Sequence, residues 1–179
     1  GSAPYDSLKA VELPPEWIPR LSRAATEAGV LFICSPFAEW AVDRLDEVGV
    51  PAFKCGSSET TNLPLLRTMA SKMKPILLAT GMCDLADIHE AVEVVRSAGN
   101  SDVILMQCTS LYPASAGHVH LRVMDTLQAA FGLPVGLSDH TTDVVIPAAA
   151  VARGACVIEK PLTLNRALAG PDHSYALEP

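Results

Sequence analysis

The chain has 179 residues, ample for one domain with a sizeable core and short for two. It is 49% hydrophobic and 18% charged, and a formal charge of −7 with no Lys/Arg stripe argues against a nucleic-acid binder, though not against a small anionic ligand. No stretch approaches the ~18 apolar residues of a membrane span, because the run at 144–152 is short and broken by Pro147.

In chain order, Gly1-Ser2 reads as an expression scar and is set aside. Six apolar runs rich in Val, Ile, Leu and Phe follow, at 30–34, 51–55, 76–79, 103–107, 134–137 and 156–159. None alternates apolar with polar, as expected of parallel strands covered on both faces. Helical patterns lie before and between them. "SPFAEWAVDRLDEVG" predicts a helix stopped by Gly49. "DLADIHEAVEVVRSAGN" is the clearest: Asp84 is a candidate N-cap, Leu85, Ile88, Val92 and Val95 share a face, and Gly99 stops it. His89 and Glu90 fall among its polar positions. "VHLRVMDTLQAAFG" ends in the same way at Gly132, and Trp17 and Trp40 sit in helical patterns as packing residues.

The runs recur every 20 to 30 residues or so, as in a series of βα units. Right-handed crossovers make such a series either an open doubly wound sheet or part of a (β/α)8 barrel. No Gly-x-Gly-x-x-Gly follows any run, which weakens a dinucleotide fold. A full barrel takes about 250 residues. The five cysteines (Cys34, Cys55, Cys83, Cys108, Cys156) lack C-x-x-C spacing. They read as free buried thiols in a reduced cytosol rather than disulfides.

Both architectures bind ligands at the carboxyl ends of their strands. Those ends read "CSPF", "KCGSSE", "ATGM", "QCTSLYP", "GLSDHTT" and "EKPLT". Ser35, Ser57, Thr80, Ser110 and Ser138 could hydrogen-bond phosphate oxygens, or could cap helices. Lys54 could supply the positive charge a buried anion needs, snorkel beside Glu59, or act as a Schiff-base nucleophile. His140, between Asp139 and Thr141, suits a site or a structural hydrogen bond. His118 and His120 straddle Val119 and read as solvated loop residues more readily than as a metal pair.

Taken together, "FKCGSSETTNLPLL", "PILLATGM", "QCTSLYP", "VGLSDHTTD" and "EKPLTLNRALAGPDHSYALEP" resemble the sialic acid (N-acetylneuraminate) synthase family, over nearly the whole chain. The resemblance implies a (β/α)8 barrel, of which residues 3–179 would be a single, incomplete domain holding the third to eighth strands. It implies a cytoplasmic, transferase-type enzyme that condenses phosphoenolpyruvate with N-acetylmannosamine or a related amino sugar and releases phosphate. A divalent metal, Mn²⁺ or Mg²⁺, is the implied cofactor. By position, Lys54, Ser57 and Ser138 match phosphoenolpyruvate contacts and Ser110 a further one. Glu59, Tyr112 and Asp172 match residues that hold or act on the sugar, with Glu59 and His140 in catalytic places. His140 also matches one of two metal-binding histidines.

Three departures accompany the match. The second metal histidine of the family, in Glu-Lys-His-Phe-Thr, is here Pro161, whose ring nitrogen offers no lone pair. Ala79 stands where the family usually has serine before Thr-Gly-Met. The first two strands, with an acidic residue, and an antifreeze-like C-terminal domain are expected to be missing. The rival reading is therefore a non-catalytic paralogue or fragment that binds a phosphorylated or acidic sugar, or completes an oligomer. Unpaired edges at 30–34 and 156–159 call for a homo-oligomer that closes the barrel, for the missing strands themselves, or for an open sheet.

Overall fold

Five of the six apolar runs form strands: β1 (Phe53–Cys55), β2 (Ile76–Ala79), β3 (Val103–Cys108), β4 (Val135–Ser138) and β5 (Ile158–Glu159). The computed structural model describes residues 3–179, so the scar expected at Gly1-Ser2 lies outside the described residues. The strands pair in parallel in the order β1-β2-β3-β4-β5. A doubly wound sheet reverses its order at a switch point, and this one does not. Pro51 and Pro134 fall just outside their strands, since proline brings no N–H to a ladder.

The expectation of six strands is corrected at 30–34. That segment reaches β1 through one long backbone bond, Lys54 N–H to the Cys34 carbonyl at 3.4 Å. Val30 and Leu31 are 59% and 77% exposed. With β1 on one side and no strand on the other among the described residues, a single bond does not make a ladder.

The sheet is strongly curved. Adjacent strands lie about 4.8 Å apart, so β1 and β5 would be roughly 19 Å apart in a flat sheet. Yet Lys54 Nζ on β1 lies 3.5 Å from Glu159 Oε2 on β5. Two side chains meet over that span only if the sheet wraps toward them. The wall is thus a half-barrel, with the carboxyl ends of its first and last strands drawn together.

The outer face carries helices α3 (Glu39–Glu47), α4 (Leu63–Ser71), α5 (Leu85–Ser97), α6 (Val123–Phe131) and α7 (Val145–Ala152), after α1 (Ala3–Ala10) and α2 (Trp17–Glu27). Alternate strand residues such as Phe53, Leu78, Leu105 and Leu137 join Leu66, Val92 and Leu127 in one core. The opposite, concave face holds a thinner cluster, Ala79, Met106 and Cys108, flanked by Leu77, Ile104 and Val157. Gly136 makes room there: a Cβ would come within 2.5 Å of Met106 Sδ.

Asp84 caps α5 as the sequence indicates, accepting from the N–H groups of Ala86 (2.7 Å) and Asp87 (3.0 Å). The Asp87 carboxylate accepts in return from the Asp84 N–H at 3.0 Å. Asp84→Ala should lower stability by about 1 kcal/mol, read as a shift of the urea midpoint at unchanged slope. Gly49, Gly99 and Gly132 follow their helices at φ +74°, +87° and +65°, a region where a Cβ is penalised.

Two expectations about packing are also corrected. Trp17 and Trp40 are 46% and 54% exposed, on outward helix faces. The cysteines are free, but Cys156 is exposed and Cys34 and Cys83 are only partly buried. Among the described residues no helix is long and apolar enough to cross a membrane.

Candidate functional site

Beyond β1 the chain makes one tight turn, Ser57–Glu59, whose end is tied to β2 by Thr60 Oγ1 donating to the Ala79 carbonyl at 2.6 Å. This places Ser57 Oγ to accept from the Gly81 N–H at 3.0 Å. A Cβ on Gly81 would stand 2.5 Å from Ser110 Oγ and 2.7 Å from Ser57 Oγ. Both hydroxyls therefore close on one bare stretch of backbone. Ser110 Oγ is buried without a hydrogen-bond partner among the described residues, so its hydroxyl is available to a ligand or a water.

None of the five rim hydroxyls caps a helix. Among the described residues the side chains that do so are Asn62 and Asp84. Thr80 Oγ1 donates to the Met106 carbonyl at 3.1 Å, so it belongs to the scaffold. Ser35 is half-buried on the unpaired segment.

Lys54 is 8% exposed, its ammonium donating to the Cys55 carbonyl at 3.1 Å and facing Glu159 at 3.5 Å. The counter-charge is thus Glu159, not Glu59 as proximity in sequence suggests. Glu59 instead accepts from Asn62 Nδ2 at 2.8 Å.

β4 delivers Ser138, 5% exposed, opposite Glu159 in the ladder. The next residue, Asp139, is 1% exposed and accepts from Lys160 Nζ (2.6 Å) and from Thr141 Oγ1 (2.9 Å). Lys160 also donates to the Thr141 carbonyl at 2.6 Å. This buried pair locks the exits of β4 and β5 together. His140 and Pro161 each lie two residues beyond the paired Ser138 and Glu159, past the end of the ladder.

His140 Nδ1 donates to the Thr109 carbonyl at 3.2 Å, and its ring also meets the Cys108 thiol. Burial pushes the Cys108 thiol up, but hydrogen bonds with His140, Ser57 and Ser138 outweigh it, so its pKa falls below the ordinary thiol value. Burial by itself would lower the His140 pKa; the Cys108 and Thr109 bonds and the Glu159 charge raise it above the ordinary value. The Tyr112 ring stacks 4.4 Å from His140, with Tyr175 at 6.4 Å from Tyr112. The Tyr175 hydroxyl donates to Asp172 Oδ1 at 2.7 Å, bringing Asp172 to the same rim.

The structure therefore brings Lys54, Ser57, Ser110, Ser138, His140 and Tyr112 into one connected rim, with Asp172 joined through Tyr175 and Glu59 through its turn. His118 and His120 are exposed on their loop, His118 bonded to Ser115 Oγ at 2.8 Å. A surface cleft of about 600 Å³ lies elsewhere, lined by His120, Arg122, Thr126 and Arg153 among others. None of the rim residues lines it.

Sequence reading missed Cys108 and the Asp139–Lys160 pair. Cys108 follows Ile104 and Met106 at strand spacing, and that alternation is the signal that aims it at the concave face.

The whole chain, residues 1–179, matches the NeuB family. It is 44% identical to the N,N'-diacetyllegionaminic acid synthase of Legionella pneumophila over 183 aligned residues, covering all of this chain and 51% of that protein. It is 40% identical to the human N-acetylneuraminate-9-phosphate synthase, covering 89% of this chain and 44% of that one. The crystal structure of the N-acetylneuraminic acid synthetase from Leptospira borgpetersenii superposes with a TM-score of 0.91 at 30% identity, over 97% of this chain and 60% of that chain. The chain thus spans about half the length of the curated relatives it matches.

Proposed function

The chain belongs to the NeuB family, and from that premise we propose that it forms the anion-binding wall of a nonulosonic acid synthase. The reaction condenses phosphoenolpyruvate with an N-acetylmannosamine-type amino sugar. Phosphoenolpyruvate, the aldehyde sugar and one water give the sugar acid and inorganic phosphate. The observation that supports this most directly is the convergence of Ser57 Oγ, the unpartnered Ser110 Oγ and the Gly81 backbone at one rim. In this reading Lys54 and the hydroxyls of Ser57, Ser110 and Ser138 neutralise the carboxylate and phosphate. Tyr112, Asp172 and Glu59 face the sugar. Such groups are effective because they are already placed where charge must be held.

Gly81→Ala tests the cradle. A methyl group there must evict both hydroxyls, and losing one hydrogen bond to a charged phosphate costs about 1.5–3 kcal/mol. Calorimetry with phosphoenolpyruvate should show affinity at least about tenfold weaker, with the circular dichroism spectrum preserved. Unchanged affinity would remove phosphate from this position.

One observation favours the second reading, a chain that binds such ligands without turning them over. The rim offers His140 but only Pro161 at the corresponding place beyond β5. In that reading further strands, of the same polypeptide or of a partner, cover the exposed Val30 and Leu31 and the outer edge of β5.

A further inference from the structure

We infer that the rim of this chain is an anion site that works without a divalent metal, because its donors do not converge on one point. This rests on the reading of the rim as a phosphoenolpyruvate site. A hard divalent ion needs several oxygen or imidazole donors converging on one point. Among the described residues no group of three or more His, Cys, Asp or Glu side chains stands where it could hold one.

Every carboxylate at the rim already has a partner that directs it away from a shared point. Glu159 faces the Lys54 ammonium at 3.5 Å. Asp139 is enclosed by Lys160 and Thr141. Asp172 receives the Tyr175 hydroxyl, and Glu59 the Asn62 amide. His173, the natural substitute for a lost imidazole, is oriented by Thr163 Oγ1 at 2.7 Å from its Nδ1 but belongs to no cluster of three donors among the described residues. Its ring lies against Gly170, where a Cβ would come within 2.8 Å of it. Pro161 has nothing to offer.

That leaves His140. Its Nδ1 bond to the Thr109 carbonyl is the arrangement that orients metal-binding imidazoles. The thiol of Cys108 lies beside that ring, but a thiol suits soft ions and not Mn²⁺ or Mg²⁺. One oriented imidazole does not hold a hard cation against water. The rim's positive charge is therefore Lys54, and the ligand that fits is the anion alone.

The test is a paramagnetic resonance titration of Mn²⁺ with the unmutated chain, paired with phosphoenolpyruvate calorimetry in EDTA and in Mn²⁺. The expected results are an undiminished free-Mn²⁺ signal at equimolar protein, and the same phosphoenolpyruvate affinity under both conditions. Stoichiometric loss of the Mn²⁺ signal overturns the inference while leaving the functional reading intact. So does phosphoenolpyruvate binding that appears only with Mn²⁺. If phosphoenolpyruvate binds in neither buffer, the functional reading falls, and the Mn²⁺ signal still decides whether the donors converge on an ion.

Discussion

Lys54→Ala should abolish binding of phosphate and phosphoenolpyruvate while the chain stays folded. The separation is possible because of what the lysine touches. Its partner Glu159 has a side chain 44% exposed, against 11% for Lys54, so removing the ammonium returns Glu159 to water and strands no buried charge. The other lysine at this rim cannot substitute, since Lys160 is held by the fully buried side chain of Asp139. Charge-assisted hydrogen bonds are worth about 1.5–3 kcal/mol each, roughly ten- to hundredfold in affinity, and a phosphate with a carboxylate beside it makes more than one. Lys54→Met, which keeps most of the stem's volume, separates charge from packing and should lose binding equally. Calorimetry that returns unchanged affinity in either variant would show the clamp to be misassigned. By contrast, Glu59→Gln should leave phosphate binding intact, because Glu59 faces Asn62 and not Lys54.

How far the sequence discloses this site follows from what each feature depends on. Strands covered on both faces need only local apolar runs, and β1 to β5 are all legible in that way. The run at 30–34 looks the same but lacks a second neighbour, and pairing is not a local property. The rim residues are legible as polar exits from strands. Their partners are not: Lys54 meets Glu159 only through curvature accumulated over five strands. The same holds for Lys160, which reaches back across the β4–β5 step to Asp139. Cys108 is hidden for another reason, since a cysteine in an apolar run reads as core and only its register turns it toward His140. The orphan hydroxyl of Ser110 and the bare backbone at Gly81 are visible only in three dimensions, because each is defined by what is absent around it.

The register also makes Pro161 testable. His140 and residue 161 each lie two residues beyond the paired ends of adjacent parallel strands, Ser138 and Glu159, so both leave the sheet at the same rim. His140 is already oriented through Thr109, so a histidine at 161 supplies the missing half. Pro161→His should therefore tighten Mn²⁺ binding by at least about tenfold, given that losses merely in the shell behind the ligands cost 10–100-fold. The substitution carries a small penalty in stability. Releasing a compatible proline costs about 0.4–1 kcal/mol through the unfolded chain, and the Leu177 N–H bond to the carbonyl of residue 161, at 2.9 Å, survives because it is a main-chain bond. A manganese titration of both proteins, followed by paramagnetic broadening of the His140 ring signals, gives the comparison. Broadening confined to His140 and the new imidazole confirms the site. No gain in the variant would mean that the Lys160–Asp139 lock holds the two exits at an angle unsuited to a shared ion. Lys160→Met in the Pro161→His background would then be the variant in which binding emerges. Condensing activity should not follow from the metal alone, because Ala79 still leaves the rim one hydroxyl poorer than the family pattern.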